Sequence, residues 1–433
     1  MRQLLVLLLL VFLVFAVNEA GSVSRASAAD SLVLALGFTL LTSFIVGAFA
    51  LKLGTPMITG YLLAGLLFGP HIIGALSQRL TVFSEEVLLN FRLVDSLALG
   101  LIAFAAGGEL KIQRLLPRLK TIGWVSAAQV LFVFVGVGAS IVLLAPIFFG
   151  DMSLAERFGI ALLLGVVATA NSPATVVAVM NECGAKGPMS TIVLGITVLK
   201  DALVMVLFSI TLIAARMLTI PGQEPDLMLG LRVFWELFGS IGIGIALGWL
   251  LVQYIERVGA ELPLLLLALS FVSVEIGREL HLSGILTNIA AGFYVQNFSR
   301  HGSELIDALE QYTLPVFIIF FTVSGAKISV PALAAMWPVA LVFIAARAAF
   351  TWLGTGVGAR AMGSDPPSWK GHLWLGFIAQ AGVSLGLAAE IGRSIPEIGA
   401  SIQTLIIAAI AVNQIVGPIT FKLALSRAGE VRM

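Results

Sequence analysis

Thirteen apolar stretches separated by short polar connections occupy almost the whole chain from residue 31 to residue 424. They lie at roughly 31–52, 56–76, 92–109, 120–148, 158–181, 188–216, 230–254, 262–277, 283–297, 312–326, 332–358, 372–391 and 399–424. A helix crossing the hydrocarbon core needs about 20 predominantly apolar residues. Segments near 30 residues imply tilt or ends that project beyond the hydrocarbon. With 59% hydrophobic and only 11% charged residues and a mean hydropathy of +1.04, the chain reads as an all-α polytopic membrane protein of about thirteen transmembrane helices.

Composition also narrows the partners. A net charge of +1 and the lack of a Lys/Arg cluster or RNA-binding signature give no reason to propose nucleic acid; the lipid bilayer is the expected surrounding. Cys183 is the single cysteine, so no intrachain disulfide forms, and neither paired Cys nor clustered His suggests a bound metal or cofactor. Cys183 reads as a small packing residue.

Both ends are expected to be simple. Residues 1–28 carry one Arg, an apolar run from Leu4 to Val17 and the small-x-small triplet Ala26-Ser27-Ala28, the pattern of a cleaved signal peptide. The alternative is an uncleaved extra helix, for which the run is short. Beyond Leu425 only "SRAGEVRM" follows. The expectation is one membrane transport domain over 29–433 without a soluble regulatory domain. Placing the mature amino terminus outside puts thirteen Lys/Arg in the inner loops and tail against eight outside, with "ELKIQRLLPRLK" (109–120) inside. That bias follows the positive-inside rule and puts the carboxyl terminus in the cytoplasm.

Two segments look interrupted. "GVVATANSPATVVAVM" holds Pro173, which has no backbone N–H, beside Asn171 and Ser172, which offer competing hydrogen bonds. "GFIAQAGVSLGLA" holds Gln380 and Gly382 at comparable depth. These are the fifth and twelfth segments, an odd offset, so they run in opposite directions as an inverted repeat requires. Unwound backbone at membrane depth survives only where protein or a water-filled cavity satisfies it, and broken helices at matching positions in two halves mark a transporter's midplane site. The ordinary alternative is a pair of kinks. Core helices are expected at about 120–216 and 332–424, with the remainder as scaffold and dimerisation surface. The helix after the first break carries Lys200-Asp201, and the helix after the second carries Asn413-Gln414.

Lys200, Asp201 and Arg347 are the ionisable residues well inside the spans, whereas Glu236, Glu275 and Glu390 lie nearer segment ends. A charge at the bilayer centre costs about 2.5–3.5 kcal/mol on insertion scales, so it faces the interior with a partner. Adjacent helical residues point about 100° apart, so Lys200 is not automatically the partner of Asp201. Arg347 is another candidate, and a static ion pair is the plain alternative to a functional one.

The stretch "TANSPATVVAVMNECGAKGPMSTIVLGITVLKDALVMVLF", Thr169 to Phe208, resembles the monovalent cation/proton antiporter superfamily, the sodium/proton exchangers and Kef-type potassium/proton antiporters. Val274–Asn297 and Ala379–Ala388 resemble further segments of that superfamily in the same order. The resemblance implies two crossed, broken helices and a homodimer in the cell membrane, most simply a bacterial inner membrane. It implies that Asp201, with Asn171 and Ser172, binds a proton or the transported alkali cation, sodium or potassium. Lys200 and Arg347 then compensate charge, and Pro173, Gln380 and Gly382 belong to the breaks. The chain departs from the family pattern at Ser172, which replaces an aspartate of many sodium exchangers, and at Lys200, which replaces an acidic or amide residue. A sodium-coupled organic-anion symporter, a channel and a non-transporting sensor are the rival readings; an enzyme is not expected, since no H-E-x-x-H, G-x-S-x-G or P-loop signature is present.

Overall fold

The structure, a computed structural model, describes residues 28–76, 82–83, 85–149, 152–220, 227–257, 262–300, 302–360, 368–395 and 398–431. The signal peptide expected over 1–28 lies, apart from Ala28, outside the described residues. Every regular element among them is helical, and the longer ones are α1 Ala28–Lys52, α2 Met57–Phe68, α3 Arg92–Glu109, α4 Leu119–Phe149, α5 Leu154–Thr169, α6 Pro173–Cys183 and α7 Pro188–Thr219. After these come α8 Leu227–Arg257, α9 Leu262–Glu279, α10 Gly284–Phe298, α11 Gly302–Ala326, α12 Val330–Arg360, a 3₁₀ stretch Ser368–Phe377, α13 Gly382–Ser394 and α14 Gly399–Arg427. Helix therefore occupies each of the thirteen apolar segments. Eight stretches are long and apolar enough to cross a membrane by length and composition, among them Leu154–Cys183, which contains the first break.

Packing sorts the helices into two groups. α4 lies along α12 and α5, α5 packs on α7, and α14 packs on α12 and α13. The second group pairs α1 with α2, α2 with α11, α11 with α3, and α10 with α3 and α8. Small residues allow the closest approaches, as in membrane bundles generally. A Cβ at Gly354 or Gly358 of α12 would come within 2.9 Å of Gln129 Cα or 2.6 Å of Val125 Cα on α4, so this Gly-x-x-x-Gly stripe brings the two backbones together and sets the depth of Gln129.

Side chains from distant segments close one end of the bundle. Glu182 accepts from the Met57 amide at 2.8 Å, Asn297 from the Ile112 amide at 2.8 Å, and Glu430 from the Met189 and Ser190 amides at 2.6 and 3.0 Å. Lys422 reaches the Thr55 carbonyl at 3.4 Å. The connections after α1, α3 and α6 and the end of α14 therefore share one face, the face that carries the basic 109–120 loop.

Candidate functional site

The first break spans Ala170–Ser172. α5 begins with a reciprocal cap, Ser153 and Glu156 each bonding the other's backbone N–H, and ends at Thr169. α6 starts with Pro173 at its first position, where a missing N–H costs nothing, and the Ser172 hydroxyl accepts from the Thr175 amide at 3.2 Å. Pro173 thus restarts the helix instead of lying in the unwound stretch. The second break spans Ile378–Ala381, and Gly382 likewise begins α13.

The two breaks cross and satisfy each other's backbone. The Ser172 amide donates to the Ala379 carbonyl at 3.1 Å. Asn171 Nδ2 donates to the Phe377 carbonyl at 2.5 Å, and Gln380 Nε2 returns the contact by donating to the Val167 carbonyl at 3.0 Å. The helices that follow repeat the relation: Lys200 Nζ donates to Asn171 Oδ1 at 2.5 Å, and Asn413 Nδ2 donates to Gln380 Oε1 at 2.8 Å. α14 reaches the second break because residue 417 is glycine; a Cβ there would fall 2.5 Å from Ala379 Cα.

Arg347 of α12 closes the crossing. It is 1% exposed and donates to Ala168 O at 2.9 Å, Ile378 O at 2.9 Å, Ala170 O at 3.0 Å and Phe377 O at 3.0 Å. These carbonyls end α5 and the 3₁₀ stretch or belong to the breaks, and helix carboxyl termini carry partial negative charge. The guanidinium therefore neutralises two converging helix ends. The ion pair with Asp201 that the sequence allowed is replaced by these four carbonyl bonds.

Lys200 and Asp201 also diverge. Lys200 Nζ donates to Asn171 Oδ1 and, at 2.9 Å, to Gln129 Oε1, and lies 5.7 Å from the centre of the Phe377 ring. Asp201 is buried, and among the described residues no donor reaches either carboxyl oxygen. Its side chain lines a cavity of about 20 Å³ with Met205, Ser283, Ile285 and Val383, room for about one water-sized occupant. The same four residues border a funnel of about 930 Å³ whose wall includes Arg232, Glu236, His281 and Glu390. These lie on the face opposite the basic loops. A second cavity of about 20 Å³, lined by Asn171, Ser172 and Pro173, also meets Ile285 and Val383.

Of the residues singled out from sequence, Asn171, Ser172, Pro173, Lys200, Arg347, Gln380 and Gly382 converge on the crossing, and Asp201 lies beside it. Asn171 commits both ends of its amide, one to Lys200 and one to Phe377. Glu275 instead makes an exposed pair with Arg278 at 3.3 Å, and Glu390 pairs with Arg393 at 2.6 Å near the funnel mouth. Cys183 is free and buried. Gln129 and Thr355 were not apparent: each is one polar residue in an apolar or glycine-rich run, and single amides and hydroxyls recur in such runs.

This architecture has close counterparts among known proteins. The chain is 25% identical over 374 residues to the Na+/H+–K+ antiporter GerN of Bacillus cereus, covering 82% of this chain and 89% of that protein. It is 23% identical over 389 residues to the Na+/H+ antiporter NhaS4 of Synechocystis, covering 88% and 93%. The structure superposes on that of the sodium proton antiporter MjNhaP1 of Methanocaldococcus jannaschii with a TM-score of 0.72 at 19% identity, over 92% of this chain and 98% of that one. That likeness establishes the fold. The transmembrane sodium/hydrogen exchanger family matches residues 39–427, a span that contains both crossed breaks and the residues that bond them, and the chain belongs to that family.

Proposed function

We propose that the protein exchanges a monovalent cation for a proton by alternating access at Asp201. The observation that carries this reading is the Asp201 side chain itself, buried against a small cavity that shares four lining residues with the funnel, with no donor among the described residues on either carboxyl oxygen. An isolated buried carboxylate is too costly to stay charged and alone, so a proton or an alkali cation must neutralise it. The two occupants exclude each other, and exclusion at a single site couples their movements.

The rest of the crossing serves that competition. Arg347 holds the half-helix ends, Lys200 offsets charge nearby, and Ser172 and Asn171 border the adjoining cavity. The group containing α4–α7 and α12–α14 is the moving core, and α1–α3 with α8–α11 is the scaffold and, by family resemblance, the surface for a homodimer. Rocking of one group against the other would close the funnel and open the basic face. The reading includes thirteen crossings with the basic face cytoplasmic. The named exchangers among the relatives, one of them for both sodium and potassium, support cation/proton antiport.

The test is flux in proteoliposomes with an internal pH dye while sodium, potassium and lithium are varied. Asp201→Asn should abolish cation-dependent proton movement while the protein still inserts and purifies. Wild-type rates in that variant would remove Asp201 from the mechanism.

A further inference from the structure

One of the two amides that hold Lys200 Nζ lies on α4, outside the motif that contains Lys200 and Asp201. Gln129 is fully buried, and the orientation of its amide is dictated from its far side. The Thr355 hydroxyl donates to the Thr351 carbonyl at 2.6 Å. Its single hydrogen is spent, so toward Gln129 it can only accept. Gln129 Nε2 accordingly donates to Thr355 Oγ1 at 2.7 Å, which turns Oε1 toward Lys200 Nζ at 2.9 Å. From Lys200 the relay continues through Asn171 to the Phe377 carbonyl. Each bond has one donor and one acceptor in a fixed sense, from the α4–α12 contact to the crossover.

That relay decides what Lys200 does to its neighbour. A lysine has four rotatable bonds and a point charge, and Asp201 is one residue away, so a released ammonium is a tethered competitor for the carboxylate. We propose that Gln129 is a positioning residue of the exchange cycle: it holds the Lys200 ammonium on the relay and thereby leaves the Asp201 carboxylate to the transported ion. This rests on the reading of Asp201 as the exchange site. The Gly354 and Gly358 approach to α4 is part of the same device, because it sets the depth at which Gln129 meets both Thr355 and Lys200.

The experiment compares Gln129→Leu, Lys200→Met and the double variant, each purified and reconstituted. The readouts are the sodium concentration for half-maximal proton flux and the sodium-dependent rise in melting temperature, with choline chloride keeping ionic strength constant. Gln129→Leu should raise the half-saturating sodium about tenfold, the size of coupling between contacting buried groups. In the Lys200→Met background, where there is no ammonium to release, the same change should matter less than threefold. A merely structural role for Gln129 gives the same factor in both backgrounds, and that result, or a half-saturation within threefold of wild type in Gln129→Leu, overturns the proposal. Thr355→Val loosens the relay from its other end, so if Gln129→Leu does not accumulate, Thr355→Val must raise half-saturation about threefold for the proposal to stand. Asp201→Asn separates the two levels: sodium-dependent stabilisation that persists there refutes the exchange-site reading itself. Its loss there, together with an unmoved Gln129→Leu, refutes only the role of Gln129.

Discussion

Arg347→Leu tests the account of the crossing most directly. Among the described residues no other donor reaches the Ala168, Ala170 or Ile378 carbonyl, whereas Phe377 O keeps its bond from Asn171. A buried polar group left without a partner costs about 1–3 kcal/mol, so three orphaned carbonyls cost about 3–9 kcal/mol, against a total stability of about 5–15 kcal/mol for ordinary domains. Losing the buried charge returns part of its desolvation cost and moves the expected value toward the lower end. With an unfolding entropy of about 2.1 cal/mol/K per residue, a chain of 433 residues loses about 1 °C per kcal/mol. Helices that persist in the unfolded membrane protein reduce that entropy and enlarge the shift, so a fall of about 3 °C is a lower bound. Arg347→Lys keeps a charge but loses the planar fork that spans four carbonyls, and should fall between wild type and Arg347→Leu. The assay is thermal unfolding of the detergent-purified proteins followed by fluorescence-detected size exclusion. A melting temperature for Arg347→Leu within 1 °C of wild type would refute the assignment of Arg347 as the neutraliser of the converging helix ends.

Two further outcomes follow from the same geometry. Gly417→Val should separate α14 from the second break, because even a Cβ would meet Ala379 Cα at 2.5 Å; transport should fall at least about tenfold, and flux at the wild-type rate would show that the approach is not needed. If Lys200 stays a fixed charge on its amide partners, one cation exchanges for one proton and no net charge moves. Flux in vesicles clamped at different potentials should then be insensitive to potential, and a reversal potential set by two protons per cation, lost in Lys200→Gln, would contradict it.

The sequence by itself determined what local chemistry can determine. Hydropathy and segment length placed helix in thirteen positions, because a helix is the conformation in which an apolar segment satisfies its own backbone inside lipid. Pro173 beside Asn171 and Ser172 marked the first break, and Gln380 beside Gly382 marked the second, because a missing N–H, a competing side chain and a glycine all act within a turn of their own position. The buried charges were equally legible, and so was the family, whose resemblance rests on a contiguous stretch from Thr169 to Phe208. What those charges touch was decided only in three dimensions. Arg347 lies 179 positions from Ala168 in the chain and 31 from Ile378, and no local pattern says that its guanidinium ends on carbonyls instead of the Asp201 carboxylate. Gln129 and Lys200 are 71 positions apart, and Gln129 and Thr355 are 226 apart; their relay exists because two glycines let α12 approach α4. That no donor among the described residues reaches Asp201, and that its small cavity adjoins the funnel, also belong to the packing. A hydrogen-bond partner is chosen by proximity after the helices have docked, and docking depends on the small residues and shapes of every neighbour at once, information that is spread over the whole chain and present at no single position.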